Sequence, residues 1–347
     1  MVGARMYERL YMLVFMLILL APVGLGVDVT CFKTVNLTYV PGAVKNGAVC
    51  LDGSPPAYHI DRGVGDGARH WLVFLEGGGW CDTTEDCLNR TKYLSGLGSS
   101  KYMKAQNFTG VVADHPELNP YFYNWNRVFV KYCDGASFTG NSIDPVNKLH
   151  YKGEKIFSAI VKDLLGKGMS NATKALISGC SAGGLSAILN CDKFRSLLPA
   201  HTTVKCASDA GYFLHVRDVF GEYNFAKFYD RVVKLHVISL VLALSNARAV
   251  FTGSIKNLPK ACTSKMKPES LVRQLGLLPY DQPWFRSEFL GSLPYIGNGS
   301  FGGMFINSWV THCQSQLQLS WNWDPVFRLK DKVSTEIVPD TRTTKAT

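Results

Sequence analysis

Apolar residues in this chain gather in short unbroken runs closed by glycine, rather than alternating with polar ones. Trp71-Leu72-Val73-Phe74-Leu75 is one such run, Val128-Phe129-Val130 a second and Ala175-Leu176-Ile177 a third. A run of this length without alternation suits a strand buried on both faces, as in a parallel sheet. Between the second and third runs, Ile156, Phe157, Ile160, Val161, Leu164 and Leu165 recur at helical spacing from Gly153 to Lys167. Gly166 and Gly168 supply a stop. Leu185 to Leu189 predicts a further helix after the third run. The alternation predicts a doubly wound α/β fold, with a mostly parallel sheet and helices on both faces.

Two apolar stretches stand outside this pattern. Leu10 to Leu20 follows Arg5 and Arg9 and precedes small residues around Gly24 and Gly26. That order reads as a secretory signal peptide over 1–26, and the run is short for a bilayer span. No stable membrane span is expected once it is removed. Val237 to Phe251 is also strongly apolar and also too short for a span, so a buried helix or strand is expected there. The segment lies within a single domain covering 27–330. Residues 27–49 read as irregular, and 331–347 form a polar, threonine-rich tail.

Composition sharpens this picture. Of 347 residues, 46% are apolar, enough for one large core, so disorder is not the expectation. Ten cysteines in an exported chain point to disulfides rather than a metal. Cys81 and Cys87 share one loop and are expected to bridge locally; the remaining partners cannot be assigned from spacing. No cysteine or histidine cluster has zinc-site spacing, and no metal or cofactor is expected. Acceptor sequons at Asn36, Asn89, Asn107, Asn171 and Asn298 agree with export. A net charge of +10 favours polyanionic partners, which outside a cell are acidic polysaccharides and anionic lipid surfaces. Without a basic run or a binding motif, nucleic acid is not an expected partner.

The chemistry centres on Gly179-Cys180-Ser181-Ala182-Gly183-Gly184, a G-x-S-x-G placed between a strand pattern and a helix pattern. A serine there sits on a tight turn that exposes its oxygen, and flanking glycines allow close neighbours. Ser181 is the candidate nucleophile. Gly77-Gly78-Gly79-Trp80 follows the first strand, where esterases place the loop that binds the oxyanion. Backbone N–H groups of that loop and of Ala182 are the candidate donors. A base must come from His201, His215, His236 or His312. His312 lies near the end of the domain, where the fold usually places it.

L-E-G-G-G-W-C (75–81), N-W-N-R-V (124–128), Y-C-D-G-A-S-F-T-G (132–140), G-C-S-A-G-G (179–184), S-D-A-G-Y-F (208–213) and F-I-N-S with H-C-Q (305–314) together resemble the plant pectin acetylesterases. That family is related to the animal Notum carboxylesterases. The resemblance runs from about Thr34 to Gln314. It implies a secreted, cell-wall enzyme of α/β-hydrolase-like fold that removes acetyl groups from pectin. It also implies Ser181 as nucleophile, His312 as base, and Gly79, Trp80 and Ala182 around the oxyanion.

The chain departs from that family where the acid of the triad belongs. Family members carry an apolar strand ending in aspartate between the C-T-S…K-P-E region and the histidine. Here Cys262-Thr263-Ser264-Lys265-Met266-Lys267-Pro268-Glu269 runs into Ser270-Leu271-Val272-Arg273 without it. Asp281 falls in the interval but lacks the strand, so the acid is unassigned. The resemblance also has His236 continuing almost directly to Gly253, which makes 237–251 an insert. An added block and a missing block suggest a variant transcript product. Two further functions compete with pectin deacetylation: a Notum-like lipid carboxylesterase, and a weak or inactive glycan-binding homologue.

Overall fold

The computed structural model describes residues 32–92, 96–211, 213, 221–238, 313 and 315–316. The expected signal peptide, the tail, nearly all of the apolar block 237–251, His215, Asp281 and His312 lie outside those residues.

Among the described residues, six strands form the central sheet: β1 (Leu37–Tyr39), β2 (Ala57–Asp61), β3 (His70–Leu75), β4 (Asn126–Val130), β5 (Lys174–Cys180) and β6 (Thr203–Asp209). Their order across the sheet is β6-β5-β3-β4-β2-β1. The four strands from β6 to β4 run parallel, while β2 and β1 are antiparallel. Five α-helices accompany it among the described residues: α1 (Thr84–Lys92), α2 (Gly153–Gly166), α3 (Ala182–Leu189), α4 (Cys191–Leu197) and α5 (Asn224–His236). The three apolar runs are the three inner parallel strands, and the helical pattern from Gly153 becomes α2, as the spacing predicts.

Each inner strand serves two cores because successive side chains point to opposite faces. Trp71, Val73 and Leu75 pack with Ile156, Phe157, Ile160, Val161 and Leu164 of α2. Leu72 and Phe74 face the other way, against Phe108, Val111, Val112 and Phe129. This is why the run shows no polar alternation.

The irregular segment expected over 27–49 instead supplies β1 and, ahead of it, a short strand, Thr34–Val35, that pairs with Gln106–Asn107. β2 reads Ala-Tyr-His-Ile-Asp, and its polar residues are buried because tertiary partners meet them. His59 Nδ1 lies 3.0 Å from the Val35 carbonyl, and Asp61 pairs with the buried Arg127 guanidinium.

Four disulfides are present among the described residues. Cys81–Cys87 is the local bridge expected from spacing. Cys50–Cys133, Cys180–Cys313 and Cys191–Cys206 are pairings the spacing left open. Among the described residues no helix is long and apolar enough to cross a membrane.

Candidate active site

Strand register collects the sequence motifs at one edge. Leu75 of β3 pairs with Val130 of β4 and with Gly179 of β5, and Cys180 pairs with Asp209 of β6. The four parallel strands therefore end together. Residues 76–80, the 131–140 loop, Ser181 and Ala210 all leave from the same carboxyl edge. The chain passes from β3 to β4 on one side and later to β5 on the other, so β3 marks the switch in strand order. Open α/β sheets bind ligands in the crevice at such a point.

Ser181 stands between β5 and α3 with φ 56° and ψ −122°. Few residues other than glycine adopt that conformation, and holding it costs on the order of 1–3 kcal/mol. Its N–H donates to the Asp209 carbonyl at 2.9 Å, and its own carbonyl accepts from Leu185 N–H at 2.9 Å. These bonds fix the turn from both sides. Close approach explains Gly183: an ideal Cβ there would lie 2.1 Å from the Leu75 carbonyl oxygen. α3 is buried along its length, and its N-terminus, with its positive end, sits at Ser181.

The glycine-rich loop lies directly against the serine. An ideal Cβ on Gly77 would be 3.0 Å from Ser181 Cβ. Gly79 has φ 65°, which glycine adopts freely. Among the described residues, no hydrogen bond is made by the backbone N–H of Gly79, Trp80 or Ala182. Gly79 and Trp80 lie on the loop after β3 and Ala182 opens α3, all at the carboxyl edge that carries Ser181, and their backbone N–H groups are unspent among the described residues.

Behind this loop is a buried polar layer. Arg90 donates to the Gly78 carbonyl at 2.7 Å and Tyr132 donates to the Gly79 carbonyl at 2.8 Å. The Trp80 indole N–H donates to Ser137 Oγ at 2.7 Å, and that hydroxyl donates to the Ala182 carbonyl at 2.7 Å. Glu76, one residue ahead of the loop, pairs with Lys131 and accepts from Tyr132 N–H at 2.9 Å. Burial raises its carboxyl above the usual range, while Lys131 pulls the other way. Asp134 is fully buried, and burial pushes its carboxyl up to about 7. The Asp134 carboxylate accepts the N–H of Ala136 at 3.2 Å and of Phe138 at 2.9 Å.

Two candidate bases stand elsewhere. His201 is exposed in the turn ahead of β6, at the opposite edge of the sheet from Ser181. His236 is buried at the end of α5, where its Nε2 donates to the Cys81 carbonyl at 2.9 Å and its ring packs on Tyr151. Burial pushes its imidazole down to about 4. His236 also lies within 4.8 Å of the sulfurs of Cys81 and Cys87, but these are spent on each other as a disulfide. His312 is outside the described residues, and its neighbour Cys313 is bonded to Cys180, the neighbour of Ser181. Beyond it, Ser315 donates to the Asp209 carboxylate through N–H at 2.8 Å and Oγ at 2.6 Å. The sequence reading assigned no role to Arg90, Tyr132, Ser137 or Asp209. The last three lie in quoted motifs, but only long-range contacts show what they hold.

A strained serine between a buried strand and the N-terminus of a buried helix, at the carboxyl edge of a mostly parallel sheet, is the nucleophile-elbow arrangement of α/β-hydrolase-like proteins. The Drosophila Wnt deacylase Notum has a similar fold, with a TM-score of 0.52 and 25% identity, over 59% of this chain and 61% of that one. The family model described as Pectinacetylesterase matches residues 31–281, and the chain belongs to that family. Arabidopsis thaliana pectin acetylesterase 7 is 50% identical over 238 residues, 68% of this chain and 56% of the relative. Pectin acetylesterase 11 of the same plant is 47% identical over 248 residues, 71% of this chain and 59% of the relative. The chain thus spans less than two thirds of the length of either relative.

Proposed function

We propose that this protein is an exported carboxylic ester hydrolase that removes acetyl groups from acetylated pectin through an acyl-enzyme on Ser181. The observation that carries the reading is the strained Ser181 at the carboxyl edge, beside the unspent N–H groups of Gly79, Trp80 and Ala182. Ser181 Oγ attacks the acetyl carbonyl while His312 takes its proton. The three N–H groups hold the negative charge that develops on the carbonyl oxygen. The sugar hydroxyl then leaves with the proton from His312, and water releases acetate by the reverse sequence.

Family membership supports the substrate class, and a net charge of +10 complements polygalacturonate. Four disulfides support folding in an oxidising compartment, hence export to the cell wall. The signal peptide over 1–26, the single domain over 27–330 with its insert, and the tail belong to the same proposal. No residue is matched to the triad acid. Loss of that carboxylate lowers turnover about ten-thousandfold in serine hydrolases, so slow turnover is expected here.

The test uses the full chain, secreted from a eukaryotic host. A fluorophosphonate probe followed by peptide mapping is expected to label Ser181, and acetylated pectin is expected to release acetate. Ser181→Ala should abolish both. Hydrolysis of long-chain esters without acetate release would favour a Notum-like lipid substrate. Pectin binding without labelling would favour a glycan-binding homologue.

A further inference from the structure

Oxyanion stabilisation depends on donors already aimed at the charge before it forms. A run of three glycines has no stiffness of its own, so something else must aim these donors. A trans peptide is planar, with its C=O and N–H pointing in opposite directions. Whatever grips the carbonyl of a peptide therefore aims the N–H on its other side.

The Gly78 carbonyl belongs to the peptide that carries the Gly79 N–H, and Arg90 Nη2 grips it at 2.7 Å. The Gly79 carbonyl belongs to the peptide that carries the Trp80 N–H, and Tyr132 Oη grips it at 2.8 Å. Ser137 ties the two halves of the site together. Its hydroxyl accepts from the Trp80 indole and donates to the Ala182 carbonyl, both at 2.7 Å. Its N–H donates to Tyr132 Oη at 3.0 Å, so the hydroxyl that grips Gly79 is itself held.

Extended backbone would not bring Ser137 to this place. Ser137 and Phe138 have φ 55° and 58°, which side-chain-bearing residues avoid. The buried Asp134 carboxylate holds the turn through the N–H groups of Ala136 and Phe138. Tyr132, Asp134 and Ser137 are all at most 1% exposed. Water therefore does not substitute for these bonds.

We propose that Arg90, Tyr132 and Ser137 are positioning residues that aim the oxyanion donors from behind, with Ser137 as the strut between the glycine loop and the nucleophile turn. None of them touches substrate. The inference rests on the function proposed above and deepens it. It predicts a loss in transition-state stabilisation without a matching loss in substrate binding.

The experiment compares the full-length protein with Tyr132→Phe and Ser137→Ala, each of which removes one hydroxyl, and with the double variant. kcat and KM are measured on a chromogenic acetyl ester, with Ser181 labelling rate and thermal unfolding alongside. Each single variant is expected to lose about 10- to 100-fold in kcat, with KM changed less than about threefold. The double variant should lose less than the product of the two, because both act on one hydrogen-bonded circuit. Should one single variant fail to fold, the other still decides the matter. An active parent labelled at Ser181, with kcat in the variants within about threefold of it, would overturn the inference. So would losses that track only the folded fraction. A parent that neither labels nor turns over would instead sink the proposed function.

Discussion

Cys180 and Cys313 are joined by a disulfide across 133 residues, with Cα atoms 5.2 Å apart. Each is the chain neighbour of a residue that the proposed chemistry needs, Ser181 on one side and His312 on the other. The crosslink thus couples the turn that carries Ser181 to the segment that contains Cys313. The 313–316 segment is held further by Ser315 on Asp209 and by Val111 N–H on the Ser315 carbonyl at 2.8 Å.

Removing this bridge should weaken both the fold and the site. A crosslink closing so long a loop restricts the unfolded chain strongly, and its loss typically costs about 2–5 kcal/mol. The paired change Cys180→Ala with Cys313→Ala should lower the midpoint of thermal unfolding and slow labelling at Ser181. An unchanged midpoint would show that the bridge does not hold this part of the fold.

Two glycines should respond in opposite ways. At Gly183 a Cβ would collide with the backbone oxygens of Leu75 and Glu76, 2.1 Å and 2.6 Å away. Gly183→Ala should cost about 1–3 kcal/mol or more and disturb Ser181. At Gly166, in the last turn of α2, a Cβ meets nothing within 4 Å. Gly166→Ala should stabilise by up to about 1 kcal/mol, as read by urea unfolding.

Acidity should act on stability through two buried groups with opposite signs. His236 is pushed down from 6.5 to about 4, so between those values the unfolded chain binds a proton that the folded one refuses. Its contribution is present above pH 6.5 and is lost as pH falls towards 4. Asp134 is pushed up from 3.8 to about 7, so in that window the folded chain keeps a proton that the unfolded one releases. Its contribution is present at low pH and is lost as pH rises through 7. Thermal scans from pH 4 to 8 should show Asp134→Asn gaining on the parent as pH rises. His236→Gln should gain on the parent as pH falls. Parallel profiles for all three proteins would contradict both assignments.

The buried pair Arg127–Asp61 should matter far more than the exposed pair Lys234–Asp230. Arg127 also donates to the Ala113 carbonyl at 2.9 Å, and its side chain is 3% exposed. Asp61→Ala strands that charge and should destabilise by about 3–5 kcal/mol. Asp230→Ala, with both partners largely in solvent, should change little. Chemical unfolding of the two variants side by side gives the comparison.

What could be read in advance was whatever a stretch of neighbours encodes. The runs at 71–75, 128–130 and 175–177 declare strands because burial on both faces leaves no room for polar alternation. α2 declares itself by spacing, and the local Cys81–Cys87 bridge by proximity. β2 was missed because His59 and Asp61 look like solvent-facing residues until Val35 and Arg127 meet them. β6 was missed because its exposure is mixed, with burial chiefly at Val204, and among the described residues it lies at the edge of the sheet. The three remaining disulfides join residues that no spacing rule connects.

By itself the sequence determined that Ser181 sits on a strained turn after a buried strand, and that a glycine-rich turn follows an earlier one. Glycine placement and local apolar burial are short-range properties, and they survive reading one residue at a time. Only the tertiary structure decided that both turns leave the same edge of the sheet. Strand order and register settle that. It also chose Arg90, Tyr132 and Ser137 to grip the loop, because a hydrogen bond across 12 to 57 positions depends on where the sheet delivers its ends.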